Sequence, residues 1–283
     1  MKSTYDQLSQ ICSKATTRLY STSFSLGILF LSKEVRQPIY DIYGFVRLAD
    51  EIVDSFHEFE KTELLAEFKL DCFSAIKRGI SLNPILNAFQ IVVNKFYIDH
   101  ELIEAFLKSM EMDLSDQHYT KRKYEQYIFG SAQVVGLMCL RVFTSGTAKE
   151  YERLKYPAMK LGSAFQKINF LRDVKADYFT LNRSYFPGLN LSAFDDESKR
   201  LIEQDIKCDF EEALKGIQQL PKSCQRGVYL AYLYYTRLLT KISKLTAQQM
   251  MSERIRVANW QKLLLVFYSY YGPWLKQLHY RGH

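Results

Sequence analysis

The stretch "LADEIVDSF", residues 48–56, decides the fold. It sets Asp50 and Asp54 four positions apart inside an apolar run, and four residues is a turn of α-helix. Working outward, Ile42, Phe45, Ala49, Ile52, Val53 and Phe56 recur at helical steps and supply apolar faces. Tyr43, Arg47, Asp50 and Asp54 fall on one polar stripe between them. A lone pair of acids at this spacing is compatible with the solvent side of an amphipathic helix, with Arg47 loosely paired to Asp50.

The pattern recurs in "QKINFLRDVKAD", where Gln166, Asn169, Asp173 and Asp177 follow helical steps and Arg172 sits beside them. Phe165, Ile168 and Leu171, with Ala164 alongside, give this segment its apolar face. Two helices that each present two carboxylates and an arginine make sense facing one another. Four carboxylates around a shared space repel and raise one another's pKa unless cations neutralise them. An oxygen-only set suits a hard divalent ion, Mg²⁺ or in its place Mn²⁺, which takes one or two carboxylates and leaves positions for water and substrate phosphate. The missing ligands point to a diphosphate. Arg47, Arg172 and a basic segment carrying Arg254, Arg256 and Lys262 offer donors to such an anion.

The rest of the chain reads as helix with very little strand-like alternation. Breaks are expected at 33–38, 79–84, 146–149, 182–190 and 220–223, giving an all-α bundle. With 283 residues, 12 glycines, 6 prolines and no repeat or linker, one domain over residues 1–283 is expected. Most of the 20 tyrosines and 19 phenylalanines are expected to fill the core, a few to line a cavity. Five scattered cysteines, with no C-x-x-C pair, argue for reduced thiols and a cytoplasmic setting. The N-terminus lacks a secretory pattern, and the run at 263–275 is too short to span a bilayer. The net charge of +7 suggests an anionic partner. Nucleic acid is disfavoured, because the notable arginines accompany acids that would repel a phosphodiester backbone.

These motifs resemble the squalene and phytoene synthases, which join two prenyl diphosphates head to head, over about residues 21–262. "STSF" (21–24) is similar to the family's S-x-S-F phosphate-contact segment, "YGFVRLADEIVD" (43–54) to its first aspartate motif, and "QKINFLRDVKAD" (166–177) to its second. "YIFGSAQVVG" (127–136) resembles the stretch that shapes the isoprenoid tunnel, "RSYFP" (183–187) the R-x-Y-x-P that follows the second motif, and "YYTRLL" with "ERIRV" the closing helix and its phosphate-binding arginine.

The resemblance implies a helical isoprenoid synthase bundle around a central cavity. Metal would be held by Asp50, Asp54, Asn169, Asp173 and Asp177, with Tyr43, Arg47 and Arg172 acting in catalysis. Ser21, Ser23, Phe24, Tyr127, Ala132, Val135, Gly136, Gln166, Tyr235, Arg254 and Lys262 would contact substrate. The chain departs from the pattern at Ala176, where a glutamate is usual, and at Gln133, where a glycine is common and tunnel shape is at stake.

The implied reaction is condensation of two geranylgeranyl diphosphates to phytoene, with the C30 analogue from farnesyl diphosphate as close rival. No nicotinamide is expected, since the chain has no G-x-G-x-x-G. A single-substrate terpene cyclase and a non-catalytic scaffold of the same family are the alternatives from other classes. Peripheral contact with the inner membrane surface, through basic and aromatic patches and the tail 263–281, is expected from the lipid character of the substrates. Oligomeric state stays open.

Overall fold

A computed structural model describes residues 2–115, 119–179, 185–187 and 194–251. Every regular element among them is helical: α1 (Lys2–Tyr20), α2 (Thr22–Leu29), α3 (Lys33–Asp54), α4 (Lys61–Arg78), α5 (Pro84–Phe96), α6 (His100–Ser115), α7 (Lys121–Ile128), a π-helical turn (Phe129–Gln133), α8 (Val134–Phe143), α9 (Ala148–Phe179), α10 (Asp196–Ile217), α11 (Lys222–Ile242) and α12 (Ala247–Met250). Local chemistry explains the boundaries. Asn83 accepts from the amides of Ile85 and Leu86 ahead of Pro84, which fits the first turn because it has no N–H to satisfy. Gly79 ends α4 at φ 71°, where glycine carries no Cβ penalty.

One expected break is displaced. The segment 33–38 is the start of α3, and Pro38 lies inside that helix. The chain turns just before it, at Ser32, where Arg36 Nη2 donates to the carbonyls of Leu29 (2.8 Å) and Leu31 (2.9 Å) and closes the corner. The breaks at 79–84, 146–149 and 220–223 fall between helices as expected, and 182–190 lies mostly outside the described residues.

The expected apolar faces are inside. Ile42, Phe45, Ala49, Ile52 and Val53 are buried, as are Ala164, Ile168 and Leu171, while Phe56 is half-buried. Phe45 stacks on Phe89 at 3.9 Å between centroids and packs against Phe68 and Phe106, tying α3 to α4, α5 and α6. Buried side chains form two clusters, one from the α2–α8 side and one centred on α9–α11. Residues of both line a single cavity of about 660 Å³. The run 121–143 is long and apolar enough to cross a membrane, but in the fold it packs on α6 and α9 and forms one wall of that cavity. All five cysteines are free thiols.

Candidate active site

Three helices bring the polar stripes to the cavity. From α3 come Tyr43, Arg47, Asp50 and Asp54, from α9 Gln166, Asn169, Arg172 and Asp173, and from α11 Tyr235. The stripes share one wall-to-wall space, as their matching patterns required. Tyr43 lies in the field of Asp50 and within interaction range of Tyr235, and Tyr235 lies in the field of Arg172 and Asp173, so the two tyrosines connect the stripes. The α9 backbone carries Asp177 one turn beyond Asp173, but its side chain lies outside the described residues, as do Arg254 and Lys262.

The electrostatics show a carboxylate cluster short of cations. Asp50 is pushed up to about 8, first by burial and then by the charge of Asp54, with Asp113 and Glu51 adding to it and Arg47 opposing. About a third of the Asp50 side chain is still reachable by water, through the cavity. Arg47 Nη1 lies 3.9 Å from Asp50 Oδ2, but the guanidinium binds Glu51 directly. Burial is the largest single influence on it and lowers its pKa, and the Glu51 bond together with the charges of Asp50 and Glu51 more than offsets this and holds the pKa above the ordinary value. Its other face stacks on the Tyr20 ring, 4.3 Å from the centroid. Arg172 is engaged by its neighbour: Nε lies 3.1 Å from both oxygens of Asp173, and Nη2 bonds it as well. Both arginines are therefore charged and positioned, and each has an acid to exchange for an incoming anion.

The donors present fit a hard divalent ion. Asp50, Asp54, Asp173 and the Asn169 carbonyl are oxygen ligands on one wall system, and the raised Asp50 is the behaviour of a site that gains by binding positive charge. Among the described residues, which do not include the Asp177 side chain, no three His, Cys, Asp or Glu side chains come together as a metal-holding group.

Below the acids the wall turns apolar. Ala132, Val135 and Gly136, all expected in the tunnel, lie on it, joined by Cys139, Leu140 and Phe143 from α8 and by Leu154, Leu161 and Ile217 opposite. The helices approach closely there because Gly162 on α9 has no side chain: a Cβ at that position would stand 2.6 Å from the Ala132 carbonyl oxygen. A Cβ at Gly136 would stand 3.0 Å from that of Ala158. Aromatic rings mark the boundary between polar and apolar halves. Phe24 stacks on Tyr43 at 4.9 Å, and Phe165 on Tyr235 at 3.9 Å. Burial raises the phenol pKa of Tyr43 to about 12 and that of Tyr235 above its ordinary value, so both stay protonated and can donate. Ser21 lines the cavity while its Oγ caps α2 by accepting from the Phe24 amide at 3.1 Å.

Two expectations are corrected. Ser23 is not on the cavity wall, because the α2 face turned inward carries Ser21, Phe24, Gly27 and Ile28, and position 23 falls to the side of that arc. Gln133 is also off the wall, so the residues that shape this part of the tunnel are Ser131, Ala132, Val135 and Gly136. One group was missed altogether. Asp113, buried on α6, accepts hydrogen bonds from Tyr127 (2.6 Å), Tyr185 (3.0 Å) and Tyr119 (3.3 Å), and reaches the same cavity. Burial and then Asp113 hold the Tyr127 phenol well above its ordinary pKa. Tyr185 belongs to the "RSYFP" segment, so that motif delivers its tyrosine to the acid cluster.

An all-helical bundle with two acidic stripes at one end of an apolar cavity defines a class of protein built to hold an anionic head and a hydrocarbon tail. The sequence profile described as squalene/phytoene synthase matches residues 17–261, and the chain belongs to that family. It is 26% identical to phytoene synthase of Arthrospira platensis over 90% of each chain. It is 25% identical to 4,4'-diapophytoene synthase of Staphylococcus haemolyticus over 86% of this chain and 90% of that one. Against the chloroplastic phytoene synthase of Narcissus pseudonarcissus the identity is 26%, and the match covers 86% of this chain but only 60% of the plant protein. Among solved structures, a dehydrosqualene synthase superimposes with a TM-score of 0.82 at 21% identity, covering 96% of this chain and 98% of the other, which establishes the fold.

Proposed function

We propose that this chain condenses two geranylgeranyl diphosphates head to head, through a cyclopropylcarbinyl diphosphate, to phytoene. The observation that carries the reading is the placement of Asp50, Asp54, Asn169 and Asp173 on one cavity whose remaining wall is largely apolar. Family membership and relatives named phytoene synthase support it.

In this reading Asp50, Asp54, Asn169 and Asp173, with Asp177 completing the set, would hold Mg²⁺, which when bound would supply positive charge to a departing pyrophosphate. Arg47 and Arg172 exchange Glu51 and Asp173 for phosphate oxygens, which guanidinium forks bind in pairs. Tyr43 and Tyr235, neutral because burial keeps their protons on, donate to the leaving group. The stacked pairs Phe24–Tyr43 and Phe165–Tyr235 turn ring faces toward the space where an allylic cation develops. The apolar walls of α8, α9 and α10 keep out water that would trap the cation as an alcohol. The second diphosphate's double bond traps that cation and one proton is lost as the cyclopropane closes. Loss of the remaining diphosphate, rearrangement and loss of a second proton then give the linear triene, with no reductant consumed.

The second reading keeps the chemistry and shortens the substrate to farnesyl diphosphate, giving a C30 product. The diapophytoene synthase relative, matched over most of both chains, favours it. Incubating purified protein with Mg²⁺ and either diphosphate, with and without NADPH, and analysing hydrocarbons separates the two. Phytoene from the C20 substrate, independent of NADPH and abolished in Asp173→Asn, is expected. A C30 hydrocarbon from farnesyl diphosphate alone selects the second reading, and no hydrocarbon from either substrate overturns both.

A further inference from the structure

Helix α1 is packed inside out. Its fully buried positions are Ser9, Ser13 and Thr17, each 0% exposed, while Leu8, Ile11 and Leu19 are 51%, 63% and 82% exposed. Helical phase places Leu8, Ile11, Ala15 and Leu19 on one outward arc, opposite the hydroxyl arc. Small polar residues face inward because α1 lies close against α3: a Cβ at Gly44 would meet Ser13 at 3.0 Å. Two of the three hydroxyls are satisfied within the helix, Ser9 donating to the Tyr5 carbonyl and Thr17 to that of Ser13, both at 2.9 Å, while Ser13 Oγ stands beside Asp41 of α3. The inward face is thereby fixed, and the apolar arc has no route to the core.

Charge is distributed to one side of that arc. Lys14 and Arg18, one turn apart, flank it and make no ion pair among the described residues. The only acid of α1, Asp6, is turned to the other side, where it binds Lys2 and accepts from Asn87 Nδ2, both at 3.0 Å. The arc runs to Leu19, and the next residue, Tyr20, lines the cavity with its ring under the Arg47 guanidinium. An apolar stripe with basic flanks on a surface helix is the pattern that lies in a lipid–water interface, apolar side down and cations at the headgroups.

We propose that the outward arc of α1, Leu8, Ile11, Ala15 and Leu19 with Lys14 and Arg18, is the face by which this protein docks on an anionic lipid bilayer, with the cavity wall beginning one residue beyond its end. A second copy of the chain fits less well. Self-pairing of α1 would set Lys14 and Arg18 against their own copies, and four side chains fall short of the roughly 800 Å² per partner of a stable interface. The inference goes beyond the proposed reaction, and its test does not depend on turnover.

Full-length protein is sedimented with vesicles of phosphatidylcholine alone and of phosphatidylcholine mixed with phosphatidylglycerol. Binding to the anionic vesicles is expected, weakened by added salt. Lys14→Gln/Arg18→Gln should lower the partition coefficient by about 25-fold, at roughly fivefold per cation near an anionic surface. Leu8→Gln/Ile11→Gln/Leu19→Gln should lower it by at least about tenfold through lost apolar burial. Both variants alter exposed or, at Lys14, half-buried positions away from the cavity and should keep the wild-type circular dichroism and turnover of detergent-dispersed substrate. Wild-type protein that ignores anionic vesicles would overturn the proposal. So would a triple variant that binds like wild type, which would move the contact elsewhere, including residues 252–283. A vesicle-free dimer lost in the triple variant would instead make the arc a self-interface.

Discussion

Asp41 offers a test of the packing that seats the first acidic helix. It lies on α3, two residues before Tyr43, and is 1% exposed at the contact with α1. Gln37 Nε2 donates to its Oδ1 at 2.8 Å, and Ser13 Oγ, which has no other partner, stands beside it. Burial pushes its pKa up to about 8 from the usual 3.8, against the smaller effects of Gln37 and Ser13. Below about pH 4 folded and unfolded chains both hold this proton, and the group does not affect stability. Between the two values the unfolded chain releases it while the folded chain retains it, so stability falls as pH rises, levelling off above about 8. At roughly 1.4 kcal/mol per tenfold change in proton affinity, the full penalty is on the order of 5 kcal/mol.

Asn at this position keeps the shape, accepts from Gln37 and donates to Ser13 without ionising. Asp41→Asn should therefore be more stable than wild type, and its advantage should grow by about 3 kcal/mol between roughly pH 5.5 and 8.5. Urea unfolding of both proteins at the two pH values, followed by far-ultraviolet circular dichroism, measures the difference. An advantage that stays constant with pH, or a variant less stable than wild type at the higher pH, would refute a buried, protonated Asp41.

Two further outcomes follow from the cavity. With Asp50 at about 8 in the metal-free protein, Mg²⁺ must displace a proton near neutrality. Calorimetry in buffers of different ionisation enthalpy should show close to one proton released per binding event at about pH 7, fading above about pH 9, with apparent affinity rising as pH rises toward 8. No release at pH 7 would contradict the raised carboxyl. Gly162→Ala would place a methyl 2.6 Å from the Ala132 oxygen, forcing α9 from the π-helical turn at a cost of about 1–3 kcal/mol. An unchanged melting temperature would show that the contact has slack.

What the sequence disclosed was set by distance along the chain. The stripes on α3 and α9 are legible because helical spacing alone puts residues three or four apart on one face, and their shared motifs supplied the rest. Asp113 is silent in the sequence because its partners lie 6, 14 and 72 residues away, and only the fold brings three phenols to one carboxylate. The stripe pattern allowed a loose pairing of Arg47 with Asp50, which the fold keeps at 3.9 Å, but Glu51, also one turn away, makes the direct contact. Pro38 reads as a helix breaker, yet the corner made by Arg36 fixes the start of α3 before it. Gln133 misleads for a different reason: the resemblance sets it in the tunnel stretch, but it ends a π-helical turn whose phase departs from that of an α-helix, and it stands off the wall that Ala132, Val135 and Gly136 line.

That turn also has a meaning for the evolution of the wall. The amide of Val134 bonds the carbonyl of Phe129 rather than that of Gly130, winding one additional residue into the turn, and Gly130 seats it within 2.5 Å of the Ala105 oxygen, counted from where a Cβ would be. It behaves as an indexing key between two halves of a shaft, Tyr127 aimed at Asp113 above and Ala132 and Gly136 lining the channel below. Losing one residue from 129–133 would twist the halves by about 100° relative to each other. Substitutions along this stretch should thus be borne far better than changes in its length, and homologues should preserve the residue count between Tyr127 and Gly136 more strictly than the residues themselves.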